Sequence, residues 1–323
     1  ASNRSQSNSR QVNEQATKAK PSNPPEKRFT TQPNGFVYDS ERDFYCLRNE
    51  FKPFDANNIK KEALPYCLPA EIYKELYDYQ RDCIKWFWRK HCEGQKRKSA
   101  NGGILGDDMG LGKTVQVAAY LAGLFQSNLA EHIMIAMPVS VLQNWRNEFI
   151  KWAPDIPVYL FHNLTKKQRE YILEDFCESG GVLLTTYGLI TSQVNLFLKS
   201  FDKLGFNFDY IFLDEGHKVK NPSIQLSQCL RQIPVHICKF ILTGTPIQNN
   251  LMELWSLFDY LFDGRLLGSS RAFKNEFENK IIRANERDAS DFEKRLGHQI
   301  SLKLQKLIEP HLLRREKSVV LNA

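Results

Sequence analysis

Residues 106–114 read Gly-Asp-Asp-Met-Gly-Leu-Gly-Lys-Thr and stand between a short apolar run and an amphipathic stretch. We call them the phosphate loop. Gly110 and Gly112 allow a tight turn whose backbone N–H groups point at phosphate oxygens, next to the positive end of a helix. Lys113 would pair with the β- and γ-phosphates of a nucleotide, and Thr114 would bind Mg²⁺. The alternative is a glycine-rich turn between a strand and a helix, which does not account for the Lys-Thr pair.

Apolar runs on both sides of this loop alternate with helical patterns. The runs predict strands at Gly103–Gly106, Ile133–Met137, Val158–Phe161, Val182–Thr186, Tyr210–Leu213 and Phe240–Leu242. Most are continuous, which is typical of strands buried on both faces. The helical patterns include Thr114–Phe125, Val141–Trp152 and Lys166–Cys177. This alternation predicts the α/β class, with a parallel sheet flanked by helices.

Residues 214–217, which we call the acidic box, read Asp-Glu-Gly-His directly after a predicted strand. At the carboxyl end of that strand, Asp214 could reach a metal bound by Thr114. Glu215 could then orient or deprotonate an attacking water molecule. Paired acids also occur in solvated turns, but their place about a hundred residues after the phosphate loop favours chemistry. His217 alone is compatible with a core or a surface histidine.

A third polar motif, Leu-Thr-Gly-Thr-Pro-Ile-Gln-Asn-Asn at 242–250, follows the last predicted strand. Its side chains could sense the γ-phosphate and transmit that state. The candidate residues are Thr243, Gly244, Thr245, Gln248 and Asn249. An ordinary Gly-Pro turn would also explain the motif if it stood alone.

Composition restricts the class of protein without identifying it. The 323 residues carry a net charge of +7, which suits a polyanionic partner but does not establish one. No apolar run is long enough to span a membrane. The seven cysteines are odd in number and form no C-x-x-C pair, so we expect reduced cysteines, with neither a zinc site nor a disulfide framework.

The two ends of the chain differ from the middle. Residues 1 to about 35 are polar and basic, which predicts a disordered arm that serves as a linker or contacts DNA. Residues 1–62 as a whole are predicted to be arm and transition, followed by a globular domain over 63–263. No strand is expected after about residue 263. Helical patterns at Arg271–Ile282 and Ser290–Ile308 predict a helical protrusion within 264–323.

Together the motifs resemble the Snf2 family of superfamily 2 ATPases. The strict phosphate-loop pattern requires glycine at Asp107, but in this family the loop reads Asp-Glu-Met-Gly-Leu-Gly-Lys-Thr. The chain departs from the family at Asp108, where Glu is usual, and at Gly216, where many members have Ala. Further similar stretches are 76–80, 138–145, 184–187, 253–258 and 312–315.

The resemblance implies a RecA-like lobe that binds ATP and Mg²⁺ and that is driven by double-stranded DNA or chromatin. The implied ATP-binding residues are Gln80, which would read the adenine, Asp107, Asp108, Met109, Gly110, Leu111, Gly112, Lys113 and Thr114. Lys113 and Glu215 would be catalytic, and Thr114 and Asp214 would bind the metal. The residues implied to face DNA or to couple it to ATP are Pro138, Asn144, Trp145, Arg146, Thr185, Thr186, Thr243, Gly244, Thr245, Gln248 and Asn249. Trp145 has a competing role as a core aromatic, and Arg146 could be a solvated helix charge.

Within the family, Asp-Glu-Gly-His at 214–217 and Asn-Asn-Leu-Met-Glu-Leu-Trp at 249–255 look like the Cockayne syndrome B branch. Stretches at 262–268, 283–289 and 292–297 are similar to a mitotic DNA translocase of that branch. The resemblance implies a nuclear, chromosome-associated protein. Its second RecA-like lobe, which brings arginine fingers to the transition state, is expected outside these 323 residues.

Two other classes of function stay open. One is a scaffold lobe that holds nucleotide or DNA and never hydrolyses ATP, although Lys113, Asp214 and Glu215 are all present. The other is a small-molecule kinase built on the same loop, which the acidic box disfavours.

Overall fold

The computed structural model describes residues 28–49, 64–97, 101–205, 207–244 and 250–320. The strands in these ranges are β1 (Phe29–Thr31), β2 (Val37–Asp39), β3 (Phe44–Leu47), β4 (Tyr66–Pro69), β5 (Asn101–Leu105), β6 (His132–Met137), β7 (Val158–Phe161), β8 (Gly181–Thr186), β9 (Phe208–Asp214), β10 (Val235–Leu242) and β11 (Leu312–Leu313). The helices are α1 (Ala70–Glu75), α2 (Asp78–Arg97), α3 (Lys113–Gln126), α4 (Leu142–Trp152), α5 (Lys166–Ser179), α6 (Tyr187–Leu204), α7 (Gln225–Gln232), α8 (Leu251–Phe262), α9 (Ser270–Phe273), α10 (Asn279–Ala284), α11 (Asp291–Ile308) and α12 (Lys317–Val320).

The main sheet has seven strands in the order β11-β5-β10-β9-β6-β8-β7. Every described pairing between its strands is parallel. Each of the six sequence-predicted strands is present in it. The prediction of a parallel sheet flanked by helices is therefore confirmed.

Alternate residues of the central strands enter different cores, because successive side chains of a strand point to opposite faces. On β6, Ile133 and Ile135 pack in one hydrophobic cluster with α2, α3 and α4. Met134 and Ala136 pack in a second cluster with α5, α6, α7 and α8. Burial on both faces explains why these strands are apolar at every position.

The predicted arm and transition over 1–62 need correction for residues 28–49. Strands β1, β2 and β3 join β4 in an antiparallel sheet, separate from the main one. The strands have only three or four residues each, which is too short for a clear alternating pattern. Phe36 is nonetheless completely buried in the cluster formed by α2 and α3. The globular part therefore includes chain well before residue 63.

A disulfide joins Cys46 and Cys67, so the expectation of reduced cysteines is wrong for this pair. The two residues are direct partners in the antiparallel register of β3 and β4, with Cα atoms 4.1 Å apart. Such cross-strand neighbours are close in space although they are 21 residues apart in sequence. The sequence contains no signal for that register.

The carboxyl-terminal part forms the predicted helical protrusion and then returns to the main sheet. Ser290 caps α11 and makes a capping box with Glu293. After α11, β11 pairs with β5, with Leu313 opposite Leu105. The expectation that no strand follows residue 263 is therefore wrong, because a two-residue strand has no periodicity to detect. No helix in the described ranges has both the length and the apolar character needed to cross a membrane.

Candidate nucleotide-binding site

Four chain segments leave the main sheet at one edge. Leu105 of β5 lies opposite Leu242 of β10, which in turn lies opposite Asp214 of β9. Leu105 also lies opposite Leu313 of β11. Because the carboxyl ends of parallel strands meet at the same edge, the residues that follow them are neighbours. The phosphate loop, the acidic box, Thr243 and the segment after β11 converge there, and we call this region the nucleotide edge.

The phosphate loop connects β5 to α3 through two residues in the left-handed region. Gly110 has φ of 87°, and Gly112, which precedes α3, has φ of 73°. Side chains disfavour this conformation, so glycine suits both positions. Because α3 begins at Lys113, its first N–H groups and the positive end of its dipole are available to an anion in the loop.

Lys113 is bound by the loop's own carbonyl groups. Its Nζ donates to the backbone oxygen of Asp107 at 2.7 Å and to that of Asp108 at 3.3 Å. Burial lowers the pKa of Lys113, and the nearby carboxylates, Glu215 and Asp214 among them, oppose that shift. The structure thus brings together the lysine and both acids that the sequence singled out.

Gln80, near the start of α2, also packs against the phosphate loop. Its Oε1 accepts a hydrogen bond from the Tyr77 N–H at 3.0 Å, and its Nε2 donates to the Leu111 carbonyl at 3.5 Å. A Cβ atom on Gly112 would lie 2.7 Å from that Nε2. Glycine at this position therefore also makes room for Gln80. Its contact with an adenine ring stays a prediction.

Two aromatic residues hold Asp214. Trp145 Nε1 donates to Asp214 Oδ2 at 2.7 Å, and the Tyr187 hydroxyl donates to the Asp214 backbone oxygen at 2.5 Å. Oδ1 accepts from the Glu215 N–H at 3.0 Å. Burial raises the pKa of Asp214, whereas the Trp145 hydrogen bond favours its charged form and opposes the rise. The carboxylate is therefore oriented by Trp145 on α4 and by the N–H that directly follows β9, while Tyr187 on α6 holds the backbone of the same residue.

Glu215 has a carboxylate oxygen that is not satisfied within the protein. The residue adopts a left-handed conformation with φ of 51° at the end of β9. Its Oε2 lies 3.2 Å from His217 Nδ1, yet both atoms are buried and neither makes a well-aligned hydrogen bond. Buried polar atoms normally find partners. The Glu215 carboxylate, beside Asp214 and Lys113, therefore keeps hydrogen-bonding capacity that His217 only partly fills.

Gly216 is packed closely against side chains of β9 and β10. A Cβ atom there would lie 2.8 Å from Cγ2 of Ile241 and 3.1 Å from Cβ of Leu213. The alanine that many Snf2 proteins have at this position would not fit without movement. The departure from the family pattern is therefore matched by local packing.

The third motif begins at the same edge. Thr243 is buried, and its N–H donates to the Leu105 carbonyl at 3.0 Å. A Cβ atom on Gly244 would lie 3.5 Å from Lys113 Nζ, so this residue adjoins the phosphate loop. The candidates Thr245, Gln248 and Asn249 lie outside the described residues.

The residues predicted to face DNA divide by burial. Asn144 and Arg146 are exposed on the first turn of α4, and Pro138 is half-buried just before that helix. Trp145 is 1% exposed, Thr185 is 0% and Thr186 is 4%. These three buried side chains have almost no surface for a direct contact with DNA, and for them a coupling role stays a prediction. The core alternative for Trp145 is thereby confirmed.

The Asp107 carboxylate is occupied by other side chains. It is completely buried and accepts hydrogen bonds from Arg315 Nε at 3.0 Å and from Gln116 Nε2 at 3.3 Å. Any contact of Asp107 with a nucleotide is therefore restricted to its backbone, and the same holds for the buried Leu111. Met109 is 66% exposed. Contact of a nucleotide with Met109 or with Asp108 stays a prediction.

Sequence reasoning missed three residues that shape this site: Tyr187, Gln116 and Arg315. Tyr187 and Arg315 stand in stretches that resemble the family, but their partners are 27 and 208 residues away in sequence. Gln116 stands on α3 and donates to the Leu111 carbonyl at 2.9 Å. The one sequence signal for Gln116 is that a polar residue stands in the first turn of a mostly apolar helix.

Residues 79–323 match the family model described as the SNF2-related domain. The chain is 44% identical over 253 residues to the mouse (Mus musculus) protein named DNA excision repair protein ERCC-6-like, which covers 78% of this chain and 20% of that protein. It is 39% identical over 263 residues to Protein CHROMATIN REMODELING 24 of Arabidopsis thaliana, covering 80% and 23% respectively. The chain thus spans about a fifth of the length of these curated relatives.

The fold is similar to a solved structure, the Sulfolobus solfataricus SWI2/SNF2 ATPase core in complex with dsDNA. The TM-score is 0.60 with 30% sequence identity, covering 77% of this chain and 46% of that one. The predicted RecA-like architecture is thereby confirmed.

Proposed function

Because this chain belongs to the SNF2-related family, we propose that it is the ATP-binding lobe of a DNA-dependent ATPase that translocates on double-stranded DNA. The observation that carries the proposal is the meeting of Lys113, Asp214 and Glu215 at the nucleotide edge. The similar Sulfolobus solfataricus structure is an ATPase core in complex with dsDNA, which supports extending the proposal to duplex DNA.

The donor set of the nucleotide edge fits a nucleotide with Mg²⁺. The α3 amides, the glycines and Lys113 would bind phosphate oxygens, and Gln80 would read the adenine. Thr114 and Asp214 would bind Mg²⁺, which neutralises charge on the phosphates. The unsatisfied Glu215 Oε2 would accept the hydrogen bond of a water molecule and draw away its proton. Trp145 and Tyr187 would keep Asp214 oriented toward the metal.

The exposed side of α4 would contact the DNA backbone. Arg146 carries the charge and Asn144 a polar amide on the same helical turn, and the chain as a whole has a net charge of +7. Movement along DNA requires a second RecA-like lobe, because closure of two lobes couples the DNA contact to ATP hydrolysis. That lobe would supply the arginine fingers that stabilise transition-state charge.

The proposal extends to where in the cell this activity takes place. Relatives named for DNA excision repair and for chromatin remodelling support a nuclear, chromosome-associated ATPase that acts on DNA or chromatin. The tail similarities at 262–268, 283–289 and 292–297 favour PICH, the mitotic translocase of the Cockayne syndrome B branch, and thus a role in chromosome segregation.

The test is the rate of ATP hydrolysis by a form of the protein that carries both lobes, with and without duplex DNA. We expect DNA to stimulate hydrolysis, and Glu215→Gln to retain nucleotide binding while losing about 10²–10⁴-fold in rate, as general-base loss does. Hydrolysis without any stimulation by DNA would contradict the DNA-dependent motor. Near-normal turnover by Glu215→Gln would show that another group is the base.

The scaffold and the kinase predict other results in the same assay. A scaffold lobe would bind nucleotide with no turnover, whereas a kinase would transfer phosphate to a metabolite. The Glu215 carboxylate beside Asp214 and Lys113 favours hydrolysis over the scaffold, because a scaffold needs no base beside the phosphates.

A further inference from the structure

The segment after β11 runs alongside the phosphate loop. The Gly106 N–H donates to the Leu313 carbonyl at 2.7 Å, and the Asp108 N–H donates to the Arg315 carbonyl at 3.1 Å. The Lys317 N–H returns a hydrogen bond to the Asp108 carboxylate at 3.0 Å. The loop is thus hydrogen-bonded on one side by a segment that lies about 200 residues later in the chain.

Arg315 ties this segment to three parts of the nucleotide edge. Its guanidinium forms a two-point pair with the Asp107 carboxylate, with Nε to Oδ1 at 3.0 Å and Nη2 to Oδ2. Nη2 also donates to Gln116 Oε1 on α3 at 2.8 Å, and Nη1 donates to the Tyr79 carbonyl at the start of α2. One planar fork therefore joins the phosphate loop, α3 and α2.

This pair is well shielded from water. The Asp107 side chain is 0% exposed and that of Arg315 is 15% exposed. A planar guanidinium is suited to hold a carboxylate at two points, which fixes direction as well as distance. Because removal of either partner leaves an uncompensated buried charge, the loop backbone at Asp107 would move to relieve it.

The backbone at Asp107 is also the group that orients Lys113. The Asp107 carbonyl accepts a hydrogen bond from Lys113 Nζ at 2.7 Å. Asp107 therefore contacts Arg315 with its side chain and Lys113 with its main chain. Gln116, the second partner of Arg315, holds the Leu111 carbonyl at 2.9 Å. Arg315 thus supports the phosphate loop at two points, Asp107 before the first glycine turn and, through Gln116, Leu111 between Gly110 and Gly112.

We propose that Arg315 is a positioning residue of the ATP site, which holds the phosphate loop in its binding conformation through Asp107 and Gln116. This inference rests on the proposed function and adds a residue to it. The aspartate that replaces the first glycine of the strict loop pattern serves as the anchor for Arg315. Arg315 contacts no phosphate itself and acts only through the loop.

The test measures ADP affinity and thermal unfolding of the 323-residue chain. Arg315→Lys keeps a positive charge but loses the fork, and Arg315→Ala leaves space beside Asp107. Residues that orient a ligand group change affinity by about 10- to 100-fold when replaced, so we expect both variants to bind ADP at least about tenfold more weakly. Arg314→Ala removes the same charge one residue earlier and is expected to bind within about twofold of the unsubstituted chain.

Rescue with guanidinium separates positioning from general loss of structure. Millimolar guanidinium chloride can occupy the space left by Arg315→Ala and pair with Asp107, whereas the same concentration of sodium chloride cannot. We expect guanidinium to restore ADP affinity in Arg315→Ala but not in Lys113→Ala. Thermal unfolding is measured at the same guanidinium concentration, because a purely structural role would raise the unfolding temperature and the ADP affinity together, whereas positioning predicts a gain in affinity with little change in unfolding temperature.

The outcomes separate the two proposals. If the unsubstituted chain does not bind ADP, the ATP-binding function itself fails. If it does, and Lys113→Ala weakens binding while folded Arg315→Lys does not, the role of Arg315 alone is overturned. Failure of both Arg315 variants to fold would also overturn it, because the residue would then serve the lobe and not the loop.

Discussion

Two sides of the first turn of α4 differ in burial and in partners. Trp145 is 1% exposed and donates to the Asp214 carboxylate, whereas Asn144 and Arg146, its neighbours in sequence, are exposed. A stretch that resembles one DNA-facing motif is thus divided between the nucleotide edge and the surface. The difference teaches that consecutive residues of a helix can serve two sites, because they point in different directions.

Under the proposed function, this division would let α4 connect a DNA contact to the nucleotide edge. Movement of α4 after contact with DNA would move the indole of Trp145 and with it the orientation of Asp214. Changes on the buried side should alter metal and nucleotide binding. Changes on the exposed side should alter DNA binding and its effect on hydrolysis, but not nucleotide binding without DNA. The predictions below test that separation.

The largest expected effect comes from the second lobe. We expect the 323-residue chain to fold, because it contains a sheet with cores on both faces, yet to hydrolyse ATP very slowly. A missing arginine finger costs about 10³–10⁵ in rate in related phosphoryl-transfer systems. The measurement is the steady-state rate of ATP hydrolysis, with and without DNA, for this chain and for a form that carries both lobes. Robust DNA-stimulated hydrolysis by this chain alone would contradict the proposal that rapid hydrolysis requires the second lobe.

A smaller effect is expected at the centre of the nucleotide edge. Lys113→Ala removes the cation that the loop carbonyls hold and should weaken ATP binding by about 1.5–3 kcal/mol, the usual value of a hydrogen bond to a charged group. Titration with ATP in the presence of Mg²⁺ measures this. Unchanged affinity would show that the loop does not bind phosphate. DNA binding at low salt serves as the control and should not change.

Trp145→Phe tests the buried side of α4. It keeps an aromatic ring but loses the hydrogen bond to Asp214, which should lower the free energy of unfolding by about 1–3 kcal/mol. Burial raises the pKa of Asp214 and the indole opposes that rise, so the variant should have a still higher Asp214 pKa. Because Mg²⁺ binds the charged form, the acidic limb of the pH–rate profile should move to higher pH.

The control for Trp145→Phe is Trp152→Phe, at the other end of α4, where the indole donates to Glu148 instead. That variant should leave the acidic limb in place. If both variants shift the limb equally, the effect comes from helix packing and not from the Asp214 hydrogen bond.

The smallest effect is expected on the exposed side. Arg146→Ala should weaken DNA binding similarly for all sequences and reduce the slope of log affinity against log salt by about one. ATP affinity without DNA should stay unchanged. An unchanged salt slope would remove the phosphate contact from Arg146 and leave it as a solvated helix charge.

Much of the nucleotide edge follows from local sequence. A buried strand, two glycines and Lys-Thr at a helix start specify the phosphate loop, because each acts over a few neighbouring residues. Mostly continuous apolar runs specify the six strands β5 to β10 for the same reason. The acidic pair needed its position after one of those runs and, in addition, the phosphate loop about a hundred residues earlier.

Tertiary structure alone decided which side chains meet across the sheet. Nothing near Arg315 in sequence indicates Asp107, 208 residues earlier, and nothing in a two-residue strand indicates its pairing with β5. Burial of Trp145, Thr185 and Thr186 depended on α4 and β8 packing in the core. These contacts arise from strand order and register, which join distant segments and therefore leave no pattern in any single stretch of the chain.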